Sequence, residues 1–331
     1  MGRTLWRTTT SFLVVSVVLA SAWTATAATD DATRASTAMA YVGAQQRANG
    51  SFPGFSSIGS TADAVLDMAA TGYDRVPDAI GYLRRQVRKG NVVGVGLTAK
   101  VVLAVVAAGG DPTSFAATDL LTAITGSEKP SGRFAGASVF DQALAILALR
   151  AAGDTPTANE LAWLAGAQCP DGGWQFDRPH RAAENRHCRD KADPADFTSS
   201  DTNTTAYALM ALGDLSGLTA DPFTFFAAIR DRTYHGWGYT WGFRRTDANS
   251  TALVIQAYAS QGLTAPGRGV RALRRLQYPC GAVAFSFTGA GRRTGKDVGA
   301  TIGAVLGFLK EPIPVAPVAL TAPWASSCPT G

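Results

Sequence analysis

Three aspartates precede apolar helical stretches, and paired carboxylates are the first chemistry to consider. Asp141, Asp201 and Asp247 each stand before a run of small and apolar residues. Two carboxylates that face one another across a cleft can hydrolyse a glycosidic bond, one as the acid and the other as base or nucleophile. An aspartate before a helix also accepts hydrogen bonds from its first free backbone N–H groups. The spacing favours this capping role for all three residues.

Other catalytic signatures do not occur in the sequence. The 331 residues include only three histidines, and neither a Gly-x-Ser-x-Gly nor a His-Glu-x-x-His motif is found. The usual signs of a serine hydrolase and of a zinc peptidase are therefore missing. The glycine-rich segment 289–297 lacks the spacing of a phosphate-binding loop. The motifs assign no catalytic residue, no cofactor and no metal site.

Aromatic residues are concentrated in segment 236–242, which carries Trp237, Tyr239 and Trp241 at alternate positions. Alternate rings of such a segment can face a ligand. These three are candidate ligand-binding residues. The further candidates lie at or near the starts of helical runs: Asp201, Asn203, Tyr207, Asp141 and Asp247. Asn203 and Asn249 also begin N-x-Thr sequons, where their position at helix starts favours capping over glycosylation.

Four cysteines allow three disulfide pairings. Pairing Cys169 with Cys188 and Cys280 with Cys328 is favoured, because each pair closes a segment that lacks regular apolar periodicity. The first disulfide would secure the polar loop 177–200, the longest interruption of the repeat pattern. Loops of this length tend to be functional or disordered.

Two of the histidines, His180 and His187, lie in this loop. They could contact a ligand or a metal, although the solvated state is the favoured interpretation. Oxidised cysteines cannot serve as thiolate ligands, and the sequence has neither a Cys-x-x-Cys nor a His-x-x-x-His pair.

The elements that would position these residues recur along the chain. A Gly-aromatic turn precedes an apolar helical run that ends in glycine, at Gly72, Gly109, Gly153, Gly213 and Gly262. A repeat of roughly 37 to 60 residues is typical of helix pairs. One helix of each pair is apolar on nearly all sides and must be covered, whereas its partner carries Arg or Glu and suits an outer face. The pattern predicts an all-α fold, a closed α/α toroid of about six helical hairpins with inner and outer rings.

The two ends of the chain differ from this repeat. Residues 1–27 have the basic start, apolar stretch and Ala-x-Ala site of a secretory signal. Residues 28–310 would form the toroid, and the Pro- and Ala-rich residues 311–331 an extended strap. A secreted protein without stable membrane insertion is predicted, because no later apolar stretch reaches the roughly 20 residues of a membrane helix. A formal net charge of +5, dispersed along the chain, gives no indication of a nucleic-acid partner.

The stretch AWLAGAQCPDGGWQFD, residues 162–177, resembles the QW-type repeat of the squalene-hopene cyclase and protein prenyltransferase β-subunit superfamily. Gln168 followed by Gly172, Gly173 and Trp174 carries the likeness, and related turns at 46–52 and 277–285 extend it over almost the whole mature chain. The resemblance implies an α/α toroid with a central cavity, in which the Gln and the aromatic residue chiefly brace neighbouring hairpins. Complement-type thioester domains and vitamin B12 carriers of the intrinsic factor and transcobalamin type share this toroid, so it does not determine function.

The functional motifs of these relatives are altered in this sequence. Triterpene cyclases protonate an alkene with the middle Asp of a DxDDTA segment, and the matching segment 201–206 has Asn203 at that position. An amide has no acidic proton to give to an alkene. Asn203 also stands in place of the Cys in the Asp-x-Cys zinc motif of the prenyltransferases, and no GCGEQ thioester segment occurs. The motifs leave open whether the protein is an enzyme, and they favour a protein without enzymatic activity.

The leading hypothesis is therefore a secreted, non-catalytic toroid whose rim binds a bulky, partly apolar small molecule. Resemblance to the B12 carriers makes a corrinoid the most concrete candidate, with a separate partner protein covering the toroid mouth. One alternative is an enzyme, either a divergent terpenoid cyclase with a different carboxylate or a glycan-active α/α barrel. The other is a structural or interaction repeat protein with a plugged cavity.

Overall fold

The computed structural model describes residues 31–177, 188, 197–319, 321 and 325–328. The predicted signal segment 1–27 lies outside the described residues. So do His180, His187 and most of the loop between residues 177 and 200.

Six apolar helices of the described chain form an inner ring. They are α2 (Ser57–Thr71), α4 (Val95–Ala107), α6 (Val139–Ala151), α8 (Thr202–Leu212), α10 (Ala248–Ser260) and α12 (Val298–Leu309). Each packs against the next, and α12 returns to pack against α2, which closes the ring. The predicted all-α toroid is confirmed.

The outer ring alternates with the inner one along the chain. It comprises α1 (31–44), α3 (Val76–Arg88), α5 (Leu120–Thr125), α7 (Ala158–Gly166), α9 (Pro222–Ile229) and α11 (Gly267–Leu276). Each inner helix is covered by outer helices on one side and by its two inner neighbours on two other sides. A charged side chain is therefore tolerated only on the side that faces the axis. Alternation of inner and outer helices makes the inner helices parallel, and their N-termini lie at one rim.

One contact recurs in the turns that enter the inner helices. A fully buried residue of the turn donates its backbone N–H to a buried side chain about one turn inside the following inner helix. The pairs are Phe52 with Thr61, Phe134 with Gln142, Trp174 with Thr205, Trp237 with Thr251 and Val283 with Thr301, at N···O distances of 2.9 to 3.0 Å. In these five of the six described inner helices, the bond fixes the turn to the helix and gives the buried turn N–H its acceptor.

Neighbouring repeats are joined at the same rim. The first backbone N–H groups of α6, α8 and α10, at Val139, Thr202 and Ala248, donate to turn carbonyls of the next repeat at 2.8 to 3.0 Å. Two short antiparallel ribbons accompany these joints, β1 (Trp174–Gln175) with β2 (Ser200–Asp201) and β3 (Val283–Ala284) with β4 (Lys296–Asp297). The N–H groups that every helix leaves free at its start are thus used to connect hairpins.

Gln168 braces two hairpins, as expected for a QW-type turn. Its Nε2 donates to the carbonyls of Gly172 and Ala220, and its Oε1 accepts from Thr219 and from the Ala220 backbone N–H. The interaction joins the α7 turn to the segment before α9. Gln277 makes the corresponding contacts to α1.

The chain after α12 crosses the C-terminal end of α2. Val318 donates its N–H to the Ala69 carbonyl at 2.9 Å, and Thr321 donates to the Gly72 carbonyl at 2.6 Å. Ile313 and Val315 of this strap are buried against the inner ring. The strap therefore covers the side of the toroid opposite the helix N-termini.

Both predicted disulfides are present, Cys169 with Cys188 and Cys280 with Cys328. The second attaches the end of the strap to the turn after α11. Among the described helices, none is long and apolar enough to cross a bilayer.

Replacing Gln168 by Ala should lower the free energy of unfolding by about 2 to 4 kcal/mol, because several partly buried hydrogen bonds between hairpins are lost together. Urea denaturation measures the change. The matched control is Gln86→Ala on α3, whose side chain makes a single exposed hydrogen bond to Asn91. Equal losses for the two variants would contradict the bracing role.

Candidate ligand-binding site

A cavity of about 200 Å³ lies on the axis of the toroid. Side chains of the inner helices line it, and Ile313 of the strap contributes on the opposite side. An outer pocket of about 740 Å³ shares Asn203 and Asn249 with this cavity. A side pocket of about 240 Å³ shares Ser60, Asp63 and Phe140. The three spaces adjoin, so the axial cavity is reached from the rim that carries the helix N-termini.

Lining residues succeed one another at intervals of three or four along each helix. On α10 they are Asn249, Leu253 and Gln256, and on α8 they are Asn203 and Tyr207. This interval brings side chains of successive turns onto one face of a helix. Helices α2, α8, α10 and α12 therefore each contribute a residue near the mouth and others deeper in the cavity, whereas α6 contributes Phe140 alone.

Carboxylates occupy the wall formed by α2. Asp63 accepts from Lys100 Nζ on α4 through both carboxylate oxygens, at 2.7 Å each. Asp67 lies one turn deeper and is 2% exposed, and its Oδ2 has no hydrogen-bond partner in the described part of the chain. Burial, and to a smaller extent repulsion by Asp63, holds the pKa of Asp67 well above its usual range. Asp67 is thus favoured as a neutral acid.

Amide side chains occupy the opposite wall. Buried oxygens of Asn203, Asn249 and Gln256 have no hydrogen-bond partner among the described residues. Gln256 donates its Nε2 to the Ala252 carbonyl at 3.3 Å, which fixes the amide with its oxygen turned away from the helix backbone. The sequence favoured capping roles for Asn203 and Asn249, and this was wrong, because the preceding aspartates are the N-caps.

Two aromatic rings meet between these walls. Phe140 on α6 contacts Tyr207 edge to face, with ring centroids 4.9 Å apart, and stacks on Phe176 at 5.5 Å. Burial raises the pKa of Tyr207 to about 12, so its hydroxyl stays protonated at neutral pH. The middle of the cavity is therefore apolar and uncharged on the α6 and α8 side.

The three predicted rim aspartates cap inner helices. Asp201 and Asp247 accept from the N–H groups of Thr204 and Ser250 at 2.8 and 2.7 Å. Asp141 forms a capping box with Ser138 at the start of α6. Burial raises the pKa of both Asp201 and Asp247 to about 7, against the effect of the capping bonds. Asp247 also lines the outer pocket, and Asp141 lines the side pocket.

The three candidate aromatics of segment 236–242 are not brought together. Trp237 is fully buried and donates its Nε1 to the Phe226 carbonyl at 2.8 Å, which places it inside the wall. Trp241 packs against Phe225 of α9, with ring centroids 6.0 Å apart. Tyr239 lines the outer pocket. The sequence could have shown this difference, because Trp237 occupies the same turn position as the buried Trp174. Tyr239 lies two residues later in the turn.

Residues of α2 and α4 were missed by the sequence analysis. Asp63, Asp67 and Lys100 are charged residues inside helices that are otherwise apolar. A charge in such a helix can only be accommodated where the helix faces an open axis, because burying it against apolar neighbours is too costly. That rule would have selected all three.

No protein-family model matches the sequence, and no curated protein sequence is significantly similar to it. A solved structure of a protein from Actinoplanes is similar, with 15% identity, a TM-score of 0.55, and coverage of 86% of this chain and 98% of that chain. A type II terpene cyclase from Scytonema, solved with its product merosterolic acid A, is 14% identical with a TM-score of 0.53, covering 86% of this chain and 97% of that chain. The protein is an α/α toroid. Its fold is that of the terpenoid cyclase type.

The Asp201 and Asp247 carboxyls should make the protein less stable as pH rises from about 4 to about 7. Their folded pKa of about 7 exceeds the unfolded value, so the folded state binds protons more tightly, by up to about 4 kcal/mol for each group. The double substitution Asp201→Asn and Asp247→Asn retains capping and should flatten this dependence in urea denaturation between pH 5 and 7.5.

Asp119→Asn on α5 is the control, because hydrogen bonds from Thr122 lower the pKa of Asp119. The stability that Asp119 contributes is present above its unfolded pKa, and it is lost only in more acidic solution. An unchanged slope in the double variant would contradict the effect of burial at the rim.

Proposed function

We propose that the protein is a ligand-binding α/α toroid whose axial cavity takes a small molecule with an apolar body and hydrogen-bond-donating groups. The observation that carries the proposal is the convergence of unpartnered buried oxygens on one cavity. They belong to Asp67, Asn203, Asn249 and Gln256. Leaving a buried polar group unsatisfied costs about 1 to 3 kcal/mol. Retaining several in one place is explained when a ligand supplies the missing donors.

Apolar side chains complete the cavity and support the second half of the proposal. Leu66, Leu253, Ile302 and Leu306 lie among the polar residues of the lining. A pocket with an apolar majority and a few fixed polar groups is the usual form of a small-molecule site. The space left along the axis also disfavours the hypothesis of a repeat protein with a plugged cavity.

The finer parts of the sequence hypothesis stay predictions. Nothing in the cavity favours a corrinoid over other ligands, and a partner protein over the mouth is untested. The two disulfides support a role in an oxidising compartment outside the cytoplasm.

Protein isolated from its own host should carry a bound small molecule, seen by native mass spectrometry as a mass that dissociates on denaturation. The triple variant with Asn203, Asn249 and Gln256 each changed to Ala should lose it, because the hydrogen-bond acceptors are removed. Asn159→Ala on the exposed surface of α7 is the matched control and should retain it. A bare wild-type protein that no small molecule stabilises against heat would contradict the proposal.

A second candidate function is isoprenoid cyclisation with Asp67 as the acid. A neutral carboxylic acid in the cavity of a terpene-cyclase-type fold favours it. In such a step the Asp67 proton would move to an alkene carbon, leaving a carboxylate and a carbocation next to the Phe140 and Tyr207 rings.

Turnover distinguishes this enzyme from a binding protein. Incubation with squalene and geranylgeranyl diphosphate, followed by mass spectrometry of extracts, would give cyclised products that Asp67→Asn abolishes. The absence of product from either substrate would count against cyclisation. The glycan-active alternative also stays a prediction, although the carboxyls of Asp201 and Asp247 are engaged in capping bonds.

A further inference from the structure

We propose that the deep end of the cavity recognises an organic cation, a protonated amine on an apolar body, with Asp67 as its counter-ion. The inference rests on the proposed binding function and names the chemical class of its ligand.

Hydrogen-bonding capacity is the first argument. Four oxygens in the cavity lining lack hydrogen-bond partners within residues 31–177 and 197–319, and each can accept a hydrogen bond. An ammonium group presents three donors and no acceptor, so it can satisfy several of these oxygens without leaving a group of its own unpaired. Asp67 and Gln256, both 2% exposed, lie among the deeper residues of the lining.

Charge is the second argument. Asp63 on its own helix and Tyr207 on α8 interact electrostatically with Asp67, and Lys100 on α4 interacts with both of these groups. Both carboxylate oxygens of Asp63 already bind Lys100, so that pair is neutral as a unit. Tyr207 is uncharged at neutral pH. Among the described lining residues, no unpaired positive charge is left for an anionic ligand, whereas Asp67 has no counter-ion.

The surroundings of Asp67 suit an amine with a hydrocarbon body. Phe140 and Tyr207 present rings in the middle of the cavity, where a cation gains from the negative faces of aromatic systems. Leu253, Ile302 and Leu306 on α10 and α12 supply the apolar wall. A rigid body of modest size fits a cavity of about 200 Å³ better than a long flexible chain.

Binding of an ammonium is coupled to a proton. Asp67 holds its proton in the empty cavity, because burial and Asp63 disfavour the carboxylate. The ammonium favours the carboxylate, so the Asp67 proton passes to solvent as the ligand enters. Affinity should therefore rise with pH until Asp67 is ionised without ligand, and it should fall only when the amine itself loses its proton near pH 10.

An alcohol of the same shape provides the comparison. Its hydroxyl would donate to an amide oxygen and accept from neutral Asp67, so no proton would be released. The probes are adamantan-1-ylmethylamine, adamantan-1-ylmethanol and adamantane-1-carboxylate, which share one rigid apolar body. Isothermal titration calorimetry at pH 5.5 and 8, in two buffers of different ionisation enthalpy, gives both the affinity and the protons released.

The ammonium should bind at least about tenfold more tightly than the alcohol at pH 8, and its binding should release protons at pH 5.5. Asp67→Asn should remove both this preference and the proton release. Asp154→Asn, an exposed residue after α6, is the matched control and should behave as wild type. If the Asp67 variant fails to fold, the comparison of the three probes at the two pH values with the wild-type protein still tests the proposal.

The outcomes separate the two proposals. Equal affinities for ammonium and alcohol, or tighter binding of the carboxylate, would overturn the cation inference and leave the binding function intact. A neutral or anionic molecule that co-purifies with the protein would do the same. If no probe binds and the isolated protein is bare, both the inference and the proposed function fail.

Discussion

The structure depends on the bond that fixes the entering turn to the helix at five of the six described inner helices. A buried turn residue gives its N–H to a Thr or Gln side chain of the following helix, as Trp174 does with Thr205 and Trp237 with Thr251. This bond, with the joints between repeats, holds the apolar helices in a closed ring. A closed ring of helices leaves space on its axis, and polar side chains that the turn bonds do not use collect there.

The walls of the axial cavity differ in chemical character, because different inner helices contribute different kinds of side chain. Helices α2 and α4 bring charged groups, α8 and α10 bring amides, and α6 brings an aromatic ring. None of these groups is needed to close the ring, since the turn bonds and the outer helices do that. The unpartnered oxygens lower the stability of the empty protein, and they are best understood as a binding surface.

The fold could be predicted from the sequence because its determinants are local. Apolar runs, closing glycines and the Gln168 to Trp174 turn all repeat, and the disulfides close segments that interrupt the pattern. The site was harder to predict. Trp237 was taken for a binding residue although it repeats the wall position of Trp174. Asp67 was overlooked because the charge inside the apolar helix α2 was not taken as the sign of the face that meets the axis.

A crystal structure of the protein isolated from its own host would show directly whether the axial cavity holds a ligand. We expect electron density for an organic molecule in the axial cavity, with a donor atom about 3 Å from Asp67 Oδ2 and further contacts to Asn249 or Gln256. Ordered water that satisfies all four oxygens, with no organic molecule present, would contradict it.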